Sequence, residues 1–161
     1  MLRAPSPPSS AQVDAKFQLI NAAISAFETE LKAQGVWDDT VLLTSSDFGR
    51  TYAPNGAGTD HAWGGNYFAL GGAVNGSQLF GAFPSSFIET SEVVISRNGR
   101  IIPTTPWESV WYGLAEWFGV DRSSMAEVLP NAANFPPESL FYASYEGGRP
   151  GLTVSTSVSS G

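Results

Sequence analysis

The residues with the clearest chemical potential lie in one Gly-rich stretch between positions 44 and 66. Asp47 follows the apolar run 40–44, and open α/β sheets bind their ligands beyond the carboxyl ends of strands. Asp60 and His61 come next in the same stretch, and carboxylate and imidazole groups suit Zn, Mn or a similar divalent ion. The planar guanidinium of Arg50 matches phosphate or sulfate oxygens. The pattern therefore indicates part of an oxygen/nitrogen metal site beside an anion-binding arginine.

Each of these residues also has a purely structural interpretation. An Asp after a strand commonly caps a helix or closes an Asx turn, a lone His is often a structural or surface residue, and Arg50 could simply pair with a carboxylate. The glycines do not form G-x-G-x-x-G, so a dinucleotide fingerprint is not supported. Ser45 and Ser46 lack the G-x-S-x-G setting of a nucleophile elbow. We assign no catalytic nucleophile to this chain.

Composition excludes several classes of function. The chain has 161 residues and no Cys, which rules out thiolate metal sites and disulfide scaffolds. A net charge of -7 with scattered Lys and Arg argues against a nucleic-acid partner. No apolar run approaches the roughly 18 residues of a membrane span, and the first ten residues are not a secretory signal as they stand. Charged residues make up only 14% of the chain, against about 25% in average soluble domains, as expected for a surface that packs on a partner.

The first secondary-structure element is a helix whose apolar residues recur with a 4-3-4-3-4 spacing. Ser9 with Gln12 fits a capping box, and Gly35 suits the position just after the helix. The apolar positions are Val13, Phe17, Ile20, Ile24, Phe27 and Leu31.

Strands and a hairpin are predicted next. Residues 40–44 and 67–70 are continuously apolar or β-branched, which favours strands covered on both faces. We interpret 45–66 as a loop because of its Gly, Asp, Ser and Asn content. Asn98-Gly99 predicts a β-hairpin between 92–95 and 100–103.

A second helix follows Thr105, with Thr105 as N-cap, Pro106 as first residue and Glu108 completing a capping box. It should end before Gly119, and a shorter helix is predicted at 124–129. We expect its aromatic residues in the core; these are Trp107, Trp111, Trp117 and Phe118. The predicted organisation is a disordered Pro/Ser lead at 1–10, an α/β domain at 11–146 and a flexible tail at 147–161.

An ordered set of motifs resembles the C-terminal part of domain-of-unknown-function family 1501, an exported bacterial-type family grouped with the alkaline phosphatase and sulfatase superfamily. The resemblance covers roughly residues 11–136. Its motifs are S-D-F-G-R-T (46–51), G-T-D-H (58–61), G-G-N-Y-F (64–68), G-G-A-V with Gly76 (71–76), R-I-I-P-T-T (100–105), W-F-G-V (117–120), and L-P-N through N-F (129–135).

The resemblance implies a partial alkaline-phosphatase-like α/β sandwich, with a mostly parallel sheet, flanking helices and metal ligands at the carboxyl ends of strands. Asp47 matches the Asp of an Asp-His metal pair, while Phe48 stands where the His would be. His61 resembles a later metal-binding His, and Asp60 would either bind the metal or orient the imidazole. The implied metal ligands are Asp47, Asp60 and His61, for Zn, Mn, Mg or Ca, and the implied substrate-binding residues are Arg50 and Asn66.

Members of the superfamily carry their nucleophile and first metal-binding Asp upstream of the matched region. The leading hypothesis is therefore a C-terminal fragment or truncated member of a metal-dependent phosphate or sulfate ester hydrolase-like family. It would need a protein partner or an N-terminal half, would be inactive alone, and would be exported to the periplasm or the cell exterior.

Two other hypotheses belong to different classes. A non-catalytic structural or interaction module packing on a partner would explain the few charges and the 12% of aromatic residues. A carbohydrate-binding domain would need Trp63 and Tyr67 exposed together, whereas we expect Tyr67 on a strand.

Overall fold

The computed structural model describes residues 10–56, 58–87, 93–95 and 98–135. The chain divides into two compact units, Met1–Gly72 with Pro84–Pro103, and Ala73–Phe83 with Thr104–Gly161. Within the described ranges the fold is mixed α/β, with three α-helices and two small antiparallel sheets. The predicted tail lies outside the described residues, as does the predicted lead except for Ser10, which begins the first helix.

Helix α1 spans Ser10–Ala33 and confirms the first predicted helix. It ends through Gly35, whose φ of 72° lies in the left-handed region that glycine tolerates best. The amide of Val36 donates to the carbonyl of Leu31 at 3.0 Å, which closes the helix end. The proposed cap Ser9 lies outside the described residues. A 3-10 turn at Trp37–Asp39 follows.

The first sheet pairs β1 (Leu42–Leu43) with β4 (Ala69–Leu70), antiparallel, with Leu42 opposite Leu70. Both strands are shorter than predicted, and their side chains are half-buried rather than covered on both faces. The backbones remain in close contact beyond the pair, since a Cβ on Gly71 would lie 2.2 Å from the carbonyl oxygen of Thr40. The described sheets are antiparallel, so the mostly parallel sheet stays a prediction.

The second sheet was predicted as loop, and that prediction is wrong. Strand β2 (Gly49–Pro54) pairs antiparallel with β3 (Thr59–Ala62). Gly49 and Thr51 are buried while Arg50 and Tyr52 are exposed, which is the alternation of a strand with one covered face. The Gly-rich composition concealed this alternation, although Asn55-Gly56 at the end of β2 is a hairpin dipeptide.

The pairing predicted around Asn98-Gly99 is present in the described part of that segment. Val94 and Ile101 form an antiparallel bridge, and Gly99 has a φ of 70°. The carbonyl of Gly99 accepts from the amide of Tyr52 at 3.2 Å, so this segment also attaches to β2.

In the second unit, α2 (Trp107–Trp117) is followed by a 3-10 turn at Arg122–Ser124, α3 (Met125–Val128) and a 3-10 turn at Ala132–Asn134. The shorter predicted helix is thereby confirmed. The predicted capping box is wrong, because Pro106 is the N-cap and no side chain caps the helix. Pro106 adopts an extended ψ of 153°, and its missing N–H leaves one fewer donor to satisfy there.

The predicted end of α2 is confirmed. Gly119 has a φ of 91° and donates to Glu116 at 2.9 Å, while Val120 donates to Ala115 at 3.0 Å, a Schellman arrangement. The aromatic core prediction is confirmed for Trp117, at 2% exposure, and is wrong for Trp111 and Phe118, at 38% and 55%. Trp107 is half-buried. Phe118 stands at the C-cap, where the buried stripe has ended. In the described part of this unit, the other buried apolar residues are Ala73, Val74, Leu114, Met125 and Ala132.

Candidate functional site

The hairpin of β2 and β3 places two of the predicted site residues on one face. Arg50 and His61 are direct register partners across the two strands. Opposed residues of antiparallel strands project from the same face of a sheet. Both side chains are exposed. The hairpin therefore presents a cationic side chain and an imidazole to solvent side by side.

Phe48, which immediately precedes β2, contacts both of these side chains. The rings of Phe48 and His61 stack with centroids 3.8 Å apart and an interplanar angle of 14°. The guanidinium carbon of Arg50 lies 4.9 Å from the centroid of the Phe48 ring, within cation–π range. Arg50 is fixed further by donating from Nη1 to the carbonyl oxygen of Thr59 at 2.8 Å. The aromatic ring and this hydrogen bond thus hold an exposed Arg–His pair in a defined arrangement.

The carboxylate of Asp60 is engaged by two asparagine amides. Asn55 Nδ2 donates to Oδ1 at 2.5 Å, and Asn98 Nδ2 donates to Oδ2 at 3.4 Å. The amide of Asp60 donates to Oγ1 of buried Thr51 at 3.0 Å. Neighbouring residues of a strand point to opposite faces, so the Asp60 carboxylate and the His61 ring project away from each other. The structure brings Asp60 together with the asparagines rather than with the imidazole.

Asp47 and Asn66 occupy connecting segments and are exposed. Asp47 lies in a bend between β1 and β2, where Ser46 Oγ donates to the carbonyl oxygen of Phe48 at 3.0 Å across it. Asn66 lies between β3 and β4. In the described ranges, no three His, Asp or Glu residues lie close enough together to form a metal-binding group. A joint site of Asp47, Asp60 and His61 stays a prediction.

Glycines bring backbone against backbone at this site. A Cβ on Gly49 would lie 1.9 Å from the carbonyl oxygen of Gly64. A Cβ on Gly64 would lie 3.0 Å from the carbonyl oxygen of Ile101, which accepts from the Gly64 amide at 2.9 Å. The segments after β3 and around Ile101 are therefore packed directly on the base of the hairpin. The glycines of this stretch allow that close packing. The packing in turn fixes the directions in which Phe48 and Arg50 project.

The sequence predicts no role at the site for Phe48, Asn55 or Asn98. A signal existed for the two asparagines, because each precedes a Gly in a turn dipeptide and turn asparagines can hydrogen-bond across the turn.

The condition for a carbohydrate-binding surface is met only in part. Trp63 is 60% exposed, whereas Tyr67 is half-buried and lies just before β4 rather than on it.

In the described part of the chain, no helix combines the length and apolarity required to cross a membrane.

No curated protein and no solved structure matches the chain. One family model matches residues 9–97, which contain β1 to β4 and every predicted site residue. The resemblance noted for residues 100–135 lies beyond that match. Since more than half of the chain is matched, it belongs to the family described as protein of unknown function, DUF1501.

Proposed function

We propose that this chain supplies part of the metal and anion site of a metal-dependent phosphate or sulfate ester hydrolase, as the C-terminal portion of an alkaline-phosphatase-like fold. The observation that carries the proposal is the exposed pair of Arg50 and His61, held on one face of the β2–β3 hairpin. An imidazole that binds a cation and a guanidinium that binds ester oxygens would then lie side by side. Residues beyond this chain would complete the site.

Two exposed groups at the hairpin, the imidazole of His61 and the carboxylate of Asp47, are of the kinds that bind divalent cations. Phe48 covers a face of the His61 ring, whereas metals bind ring nitrogens in the plane of the imidazole, so stacking leaves that direction available. Asp47 is exposed in the bend before Phe48 and would provide a carboxylate oxygen. Asp60 would join only if it released its asparagine partners and β3 rearranged to bring its carboxylate to the face of His61. A bound Zn, Mn, Mg or Ca ion would polarise the ester and offset the charge that develops on it.

The chain's own residues would orient the ester. Arg50, held by Phe48 and the Thr59 carbonyl, would bind non-bridging oxygens of the phosphate or sulfate group, and the Asn66 amide would donate to the same group. The charged fraction of 14% and the exposed apolar side chains outside α1, such as Trp63 and Leu79, support packing on a partner or on the remainder of the enzyme. Export to the periplasm or the cell exterior is part of the same proposal.

Isothermal titration of the full chain with ZnCl2 and with MnCl2 tests the metal site. We expect metal binding that His61→Ala abolishes and Asp47→Asn weakens, while Asp14→Asn on α1 leaves it unchanged as a matched control. Binding that survives His61→Ala would overturn the assignment. We expect no turnover of p-nitrophenyl phosphate or p-nitrophenyl sulfate by the chain alone. Metal-dependent turnover that is lost in Asp47→Ala would contradict the proposed dependence on residues beyond it.

A non-catalytic interaction module is the second candidate. The observation that favours it is that one possible ligand is already engaged within the chain, since Asn55 and Asn98 both donate to the Asp60 carboxylate. In that case Asp60 and His61 stabilise the hairpin and bind nothing. The same titration separates the two functions, because a module of this kind gives no heat with either metal, while Asp60→Ala still lowers the free energy of unfolding.

A further inference from the structure

The apolar stripe of helix α1 is exposed along most of its length. None of the helix's side chains is buried. Phe17, Ile20 and Phe27 are 63%, 47% and 42% exposed, while Ile24 and Leu31 are half-buried. A 24-residue helix spans about 36 Å. The stripe is thus a long apolar surface, and burying it would release a substantial hydrophobic free energy.

The spacing of this stripe is that of a two-helix seam. Intervals of 4-3-4-3-4 place Phe17, Ile24 and Leu31 at heptad position a, and Val13, Ile20 and Phe27 at position d. A seam of a and d positions alone is the narrow stripe with which one helix packs against another, whereas a helix covering a core usually carries a wider apolar face.

We propose that α1 is a self-association surface, on which a second copy of this chain docks its own α1 antiparallel about a two-fold axis. In antiparallel pairs the a positions of one helix lie opposite the d positions of the other. Here that places Phe17 opposite Phe27 and Ile20 opposite Ile24, with Val13 opposite Leu31 at each end. Each layer joins side chains of similar size, and the contact uses the same patch on both copies, as a two-fold interface requires.

Charge complementarity favours this orientation. In the antiparallel register Lys16 lies opposite Glu30 of the second copy, and the two-fold axis generates the pair twice. In a parallel register Lys16 faces Asn21 and Ala23 faces Glu28, so no opposite charges flank the seam. The antiparallel register also brings Asp14 near Glu28, but Glu28 is already paired with Lys32 on its own helix at 2.6 Å, which reduces that repulsion.

The proposal rests on α1 alone and is independent of the metal site, because α1 carries none of the predicted site residues. Sedimentation equilibrium of the full chain over a range of concentrations tests it. We expect a reversible dimer that Ile20→Glu converts to a monomer, while Leu19→Glu, outside the stripe, leaves it dimeric. A monomer at every concentration, or a dimer that Ile20→Glu does not affect, would overturn the proposal. Circular dichroism of Ile20→Glu checks that α1 remains helical.

Charge reversal tests the orientation without altering the apolar seam. Lys16→Glu and Glu30→Lys should each weaken the dimer about tenfold, because two attractive pairs become repulsive. A 1:1 mixture of the two variants should restore wild-type affinity, since the mixed dimer has one wild-type pair and one pair with its charges exchanged, and both attract. Variants that weaken the dimer but fail to restore it when mixed would exclude the antiparallel register. Dimer affinity equal to that of the wild type in both single variants would overturn the antiparallel register as well.

Discussion

Helix α1 and the β2–β3 hairpin belong to the same unit of the chain but are stabilised in opposite ways. The hairpin is short, rich in glycine and polar, and its backbone is packed against neighbouring segments through Gly49 and Gly64. Helix α1 is long and regular, yet no side chain on it is buried. In this molecule the more regular element is therefore not the one with more tertiary support. The candidate site lies on the hairpin, where tertiary support is greater.

The largest effect should come from the base of the hairpin. Gly49→Ala places a Cβ 1.9 Å from the Gly64 carbonyl oxygen, and a backbone atom cannot yield as a flexible side chain would. We expect a loss of about 3 kcal/mol in the free energy of unfolding. Urea denaturation monitored by tryptophan fluorescence measures it.

Gly56→Ala is the matched control for that variant. No heavy atom lies within 4 Å of its added Cβ, and the only strain is the φ of 88°. A loss of about 1 kcal/mol is expected. Equal losses in the two variants would show that Gly49 is not a point of tight backbone packing.

The second prediction compares one substitution in both regions. Thr51 is 2% exposed; its hydroxyl donates to the Ala53 carbonyl at 3.1 Å and accepts from the Asp60 amide at 3.0 Å. Thr51→Val leaves both partners unsatisfied and should cost about 2 kcal/mol. Thr29→Val on α1 removes an exposed bond to the Ser25 carbonyl, which water replaces, so its cost should stay below about 0.5 kcal/mol. Similar costs would remove the distinction between the two regions.

The elements that could be predicted from sequence are those with a local cause. Helix α1 follows from the spacing of its apolar residues, and its end follows from the left-handed conformation at Gly35. The end of α2 at Gly119 has the same origin. Its start could not be fixed to the residue, because Thr105, Pro106 and Glu108 allow two neighbouring frames, and the helix adopts the one in which Pro106 is the N-cap.

The hairpin was missed because its buried positions are not apolar. Burial on β2 falls on Gly49 and Thr51, which periodicity analysis does not count as core residues. The pairing of Arg50 with His61 depends on the register across residues 55–58, and neither side chain reveals it alone.

The residues of the candidate site stay a prediction, and their arrangement could not be predicted from the sequence. Asp60 was expected either to bind the metal with His61 or to orient the imidazole, but adjacent positions on β3 direct the two side chains to opposite faces. The contacts of Asp60 with Asn98 and of His61 with Phe48 are tertiary. Long-range contacts of this kind leave no periodic trace in one sequence.

The smallest expected effect concerns what holds α1 when its apolar stripe is uncovered. Lys32 pairs with Glu28 at 2.6 Å, with both side chains substantially exposed. In the monomeric Ile20→Glu variant, a double-mutant cycle of Lys32→Gln and Glu28→Gln, read by hydrogen exchange of the α1 amides, should give a coupling of about 0.3–0.5 kcal/mol. The cycle separates the ion pair from the contact of Lys32 with the Trp37 ring at 5.8 Å. The coupling should largely vanish in 1 M NaCl, where the screening length is about 3 Å. A coupling that exceeds 1 kcal/mol and persists in salt would mean that α1 is shielded from solvent. That result would weaken the contrast in tertiary support between α1 and the hairpin more directly than any result obtained on the hairpin.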